Sequence, residues 1–201
     1  GARPATGAVS LSDYETEFAP RAIHTGRRER RGSDRALPLY RRVMGDAWHA
    51  LPPTLRAMHD IGPGLTASGR ASVERGNRPL ARMLASIYGF PEASADVPVQ
   101  VSLQTRGMAE VWRRTFGGKS FSSVQEAGEG ASANLITERF GPVVVSLAVL
   151  VEDGQLKLVV RRWTFLGMPM PLFLAPGGKA FEYEEDGRFH FDVEIAHPWT
   201  G

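Results

Sequence analysis

The chain contains no cysteine. Disulfides and thiolate metal ligands are therefore excluded, and the composition fits a reducing compartment. It also has no apolar run of the roughly 20 residues needed to cross a bilayer as a helix. The first residues lack the apolar core of a secretory signal, so the expected location is cytoplasmic, with no membrane span. Charge of one sign is not in excess: 24 Lys+Arg stand against 22 Asp+Glu, a net +2. That balance argues against nucleic acid as a partner. Catalytic signatures are missing too. There is no serine nucleophile elbow, no H-E-x-x-H and no P-loop. Gly62-Pro63-Gly64 lacks the spacing and the strand–turn–helix context of a dinucleotide fingerprint. The expectation is accordingly no cofactor, no metal, and no enzyme by motif.

What is present is an ordinary globular composition, 42% hydrophobic and 23% charged over 201 residues. Residues 1–35 are small, polar and basic and read as a linker or flexible tail. The Arg27-Arg28-Glu29-Arg30-Arg31 run has no aromatics interleaved with it. Residues 36–201 read as a single domain. Segment 37–51 carries Leu39, Tyr40, Val43, Met44, Ala47, Trp48 and Leu51 at helical spacing, and Pro52-Pro53 stops it. A short turn with Leu55 and Met58 follows, ending at His59 and Asp60. A second helix is expected over 78–88.

From residue 97 onward the period is 2 and the connections are short. Strands are expected over 66–75, 97–105, 110–116, 120–125, 134–140, 143–151, 156–165, 179–185 and 188–197. The strongest single signal is the hairpin whose apolar arms flank Glu152-Asp153-Gly154-Gln155. The fold class is therefore α+β: a curved antiparallel meander of about eight strands, half-barrel or barrel-like, with two N-terminal helical segments packed on it. The central hairpin is apolar on both faces, so cover is expected on both sides. Strict alternation puts Arg162 with Leu156, Leu158 and Val160, and puts Arg161 with Val159, Trp163 and Phe165.

Three motifs carry a family resemblance: LYRRVMGDAWHALPP at 39–53, ERFGP at 138–142, and EDGRFHFDVEIAHPWTG at 185–201. Together they resemble the bacterial domain-of-unknown-function family 4166. The resemblance implies no activity and no catalytic residues. It does imply a frequent partner: such domains often follow a NAD(P)-binding, saccharopine-dehydrogenase-like or short-chain-dehydrogenase-like domain. It also implies a further strand beyond Pro198-Trp199-Thr200-Gly201, so that the domain here would be truncated at its C-terminal strand.

Candidate chemistry is sparse. His190, Asp192 and Glu194 alternate along one strand face, with His197 nearby. They form either an acid/base or metal array or the solvated side of a half-buried strand. His59 is either a general base at a cavity mouth or an exposed or capping residue at a helix end. An arginine embedded in an apolar strand needs a partner. For Arg161 and Arg162 that is a carboxylate (Glu138, Glu182 or Glu194) or an anionic ligand. Arg161, Arg139, Trp163, Trp48 and Tyr40 are the expected ligand-binding set. The leading expectation is a non-catalytic small-molecule or lipid-binding accessory module. Its ligand would be a hydrophobic small molecule or acyl chain, and its partner a dehydrogenase-like domain. The alternatives are an enzyme with an acid/base site on the last strand, and a structural or interaction domain.

Overall fold

A computed structural model describes residues 37–73, 93–175 and 180–193. The expected tail over 1–35, the helix over 78–88, and Glu194 and His197 lie outside the described residues.

The chain enters through helix α1, Leu39–Met44. The expected single helix does not run through to residue 51. At Gly45 the backbone takes φ +55°, which a side chain resists, and the chain tightens into a 3-10 turn over Gly45–Ala50. Helix α2, Pro53–His59, follows with proline in its first turn. Nine strands then run in chain order across one sheet: β1 Gly64–Val73, β2 Ser94–Arg106, β3 Ala109–Phe116, β4 Lys119–Ala127, β5 Ile136–Phe140, β6 Val143–Glu152, β7 Gln155–Phe165, β9 Ala180–Glu185 and β10 Arg188–Val193. A two-residue strand β8, Met168–Pro169, pairs with the far end of β7. All pairings are antiparallel, and two-residue turns join β2 to β3, β3 to β4, β5 to β6, β6 to β7 and β9 to β10. Asp153 and Gly154 both have positive φ at the β6–β7 turn, the geometry that matches strand twist. The sheet curls into a half-barrel.

Cross-strand register defines the packed face. One row reads Leu65, Leu103, Trp112, Ser123, and the next Ala67, Val101, Arg114, Phe121. A third reads Glu110, Gln125, Glu138, Val145, Trp163. Towards the last strands the row is Val151, Leu156, Glu182, Phe191. Leu39, Tyr40, Trp48, Leu51, Leu55 and Met58 from the helical cap join these side chains in one core. The second face of the hairpin is not fully covered by described residues: Val144, Ala148, Leu150 and Val159 are half-buried.

The face assignment fails past Val160. Ser146 opposes Arg162 while Leu147 opposes Val160, so Arg161 is the extra residue of a β-bulge. One inserted residue swaps the faces beyond it. Trp163 therefore shares a face with Glu138 and Val145, and Arg162 falls on the outer side.

Leu156 is fully buried at the centre of this arrangement, whereas Leu150 on the same hairpin is half-buried. Leu156→Ala should lower unfolding free energy by about 2–5 kcal/mol in urea titrations, and Leu150→Ala by clearly less.

Candidate functional site

Helix α2 turns Leu55, Met58 and His59 to the sheet, at i, i+3 and i+4. His59 is therefore neither exposed nor a cap. It is 0% exposed, and its Nε2 lies 2.5 Å from Oε2 of Glu182, itself 2% exposed. The imidazole stacks on Tyr40 with ring centroids 3.7 Å apart, and Trp112 stands 5.7 Å away. His59 Nδ1 is buried and makes no hydrogen bond.

Around this pair lies a polar network built from inward positions of β3, β4 and β5. Arg114 donates through Nη1 to Ser123 Oγ at 2.9 Å and through Nη2 to Glu138 Oε1 at 3.3 Å. Ser123 in turn donates to the same Glu138 oxygen at 2.6 Å. The Arg114 guanidinium sits 5.0 Å from the Trp112 ring centroid and 5.7 Å from that of Phe121. Glu110 accepts from the Leu39 backbone N–H at 3.1 Å and from Trp112 Nε1 at 3.3 Å. Gln125, in the row between Glu110 and Glu138, is buried with its Oε1 unpaired.

Burial shifts two of these groups. It pushes the Glu110 carboxyl above the ordinary glutamate value, against the pull of the Leu39 N–H, His59 and Trp112. It also holds the Tyr40 hydroxyl well above the usual tyrosine value, helped by the negative charges of Glu182, Glu138 and Glu110.

The expected ligand-binding set divides. Tyr40 and Trp48 are core residues beneath the cap. Arg139 is exposed on β5, opposite Val124 and Val144. Only Arg161 and Trp163 come together. They line an open groove of about 710 Å³ with Ser132, Leu135, Ser146, Arg162, Met170 and Leu172. Of the three expected carboxylate partners of the two arginines, Glu138 holds Arg114, Glu182 holds His59, and Glu194 lies outside the described residues. Arg161 and Arg162 are exposed at the bulge, open to solvent and with no carboxylate partner among the described residues.

On the last strand, Phe189 and Phe191 oppose Glu184 and Glu182 on the packed face. His190 and Asp192 lie on the other side. His190 is not solvated as the outer-face reading required: it is buried, stacked on Tyr183 at 5.0 Å. Among the described residues no group of histidines and carboxylates is arranged to hold a metal. Of the interior charges, Glu138 and Glu182 were expected, though as partners of Arg161 and Arg162; Glu110 and Arg114 escaped the sequence reading, although period-2 alternation with Trp112 and Phe116 places them on one face.

The fold and its contents define a class: a half-barrel domain with a charged core under a helical cap and a basic groove outside it. The chain belongs to the domain-of-unknown-function family DUF4166, whose profile matches residues 51–201. No curated protein and no solved structure matches it.

Two outcomes test the network. His59→Ala should cost about 3–5 kcal/mol by leaving Glu182 buried and unpaired, and the double change His59→Leu with Glu182→Met should recover much of that loss in denaturant melts. Glu110 has its folded-state pKa raised, so it binds more protons folded than unfolded, and its contribution to stability falls as pH rises between the two values. The stability of Glu110→Gln relative to the parent should therefore increase as pH is raised from below the ordinary glutamate range to neutrality, measured by urea unfolding at each pH.

Proposed function

We propose that this domain is a non-catalytic binding module that holds an amphipathic anion, a carboxylate at the head of an acyl chain, in the groove beside the β7 bulge. The observation that carries this reading is the groove itself. Its volume of about 710 Å³ suits a small-molecule ligand. One part of its wall is apolar, from Leu135, Trp163, Met170 and Leu172, and Arg161 and Arg162 supply two cations without a carboxylate partner among the described residues. A guanidinium pair takes a carboxylate through parallel hydrogen bonds, and the apolar wall takes the chain. The concave interior does not serve this purpose in the present conformation, since its void measures only about 20 Å³.

The module works in the cytoplasm beside a NAD(P)-binding dehydrogenase-like domain, to which it presents the bound molecule. Leu166, Met168, Leu172 and Phe173 are exposed around the groove and offer an apolar face for that partner. This role follows the resemblance to fused relatives.

Decanoate titrated into the purified chain should bind with one-to-one stoichiometry in calorimetry. The double variant Arg161→Ala/Arg162→Ala should weaken it about tenfold or more with little change in melting temperature, because both side chains are exposed. Equal affinity in the two proteins rules the groove out. Native mass spectrometry of freshly purified protein would show which anion it carries.

A further inference from the structure

The interior carries more polar chemistry than a structural core needs. Glu110, Glu138 and Glu182 are each no more than 5% exposed, and Arg114 is the one arginine among the buried polar residues described. Burying carboxylates costs stability unless something compensates. Near these carboxylates, His59 Nδ1 and Gln125 Oε1 are among the buried polar atoms without a hydrogen-bond partner, though neither lines the void beside Glu182. Between the cap and the sheet lies a void of about 20 Å³ whose polar lining is Glu182 and Arg114. Trp112, Phe189 and Phe191 give it aromatic walls, and Met58 of α2 forms its side towards the cap.

We infer that this void is the closed form of a second binding site, one for a small, flat, uncharged molecule with a hydroxyl group. The chemistry follows from the lining. A hydroxyl donates to the Glu182 carboxylate and accepts from the Arg114 guanidinium, which uses both polar walls at once. A flat body fits among the aromatic rings. At about 20 Å³ the void has room for one water-sized group and none for a ring. Room for the ring comes from Met58, an unbranched side chain that changes rotamer readily. Its helix is tied to the sheet by polar contacts, the Thr54 N–H to Glu184 at 3.2 Å and His59 to Glu182 at 2.5 Å, so the side chain and not the helix makes the room.

Phenol is the probe. In calorimetry with the full chain, phenol should bind saturably, and toluene, which lacks the hydroxyl, should bind at least about tenfold more weakly. Met58→Ala should tighten phenol several-fold by opening the ring position. Val101→Phe should fill the void and abolish phenol binding while leaving decanoate binding at the groove unchanged, so the two sites fail or succeed separately. No phenol binding to either the parent or Met58→Ala overturns the inference. Equal binding of phenol and toluene also overturns it, because the void is then a packing defect with no use for Glu182 and Arg114. If Val101→Phe does not fold, Ala67→Leu probes the same void from β1 with the same expected loss.

Discussion

The bond between His59 and Glu182 joins parts of the chain 123 positions apart. A meander has almost only neighbour-to-neighbour contacts, and nothing in strand pairing alone draws its last strands towards its first helices. Here α2 packs on β9 and β10, and the buried imidazole–carboxylate pair fixes where it lands. The curl of the sheet then follows. A sheet of this many strands twists, and the cap gives it something to wrap. The Leu39 N–H on Glu110 makes a similar tie at the other end of the cap, to β3. Between the two ties the helices are held across the half-barrel by groups that are expensive to separate and expensive to leave unpaired.

That arrangement explains why the core is charged. Desolvating a carboxylate costs several kcal/mol, and an apolar pair of similar volume is often no less stable. The interior charges are organised for geometry. Glu138 is satisfied twice, by Ser123 and by Arg114, and Arg114 is further held against Trp112 and Phe121. Each member fixes the rotamer of the next. The leftover acceptors on His59 and Gln125 are the places where this closure is incomplete.

Most of the sheet was legible because period-2 alternation and Asp-Gly turns are local signals. The arms flanking Asp153-Gly154 and Asp186-Gly187 pair as their sequence indicates. The cap was legible as helix but not as two pieces, because the stripe from Leu39 to Leu51 survives a change of pitch at Gly45. His59 was misplaced for a different reason. It extends the Leu55 and Met58 stripe at helical spacing, but a polar residue beside a Gly-Pro-Gly loop reads as an end, and its partner lies on a strand far along the chain. Burial of Glu182 was invisible locally, since Glu182, Glu184 and Glu185 look alike until the register with Phe191 and Leu156 is known.

The bulge at Arg161 has no local signature, yet it separates the charged interior from the outer groove. Had β7 continued without it, strict alternation would send Arg162 into the row of Glu110, Gln125, Glu138 and Val145, and Trp163 outward. A guanidinium in that row would compete for Glu138 with Arg114 of the neighbouring row, and the loser would sit buried without a counter-ion. The extra residue removes that conflict. It turns both arginines to solvent, where their charge costs little, and brings Trp163 back to the row of Val145, with its indole N–H on the Pro171 carbonyl at 2.9 Å. Both arginines line the groove at that end of the strand. A single inserted residue thus keeps the interior's charge pattern intact and leaves a basic, half-apolar surface beside it.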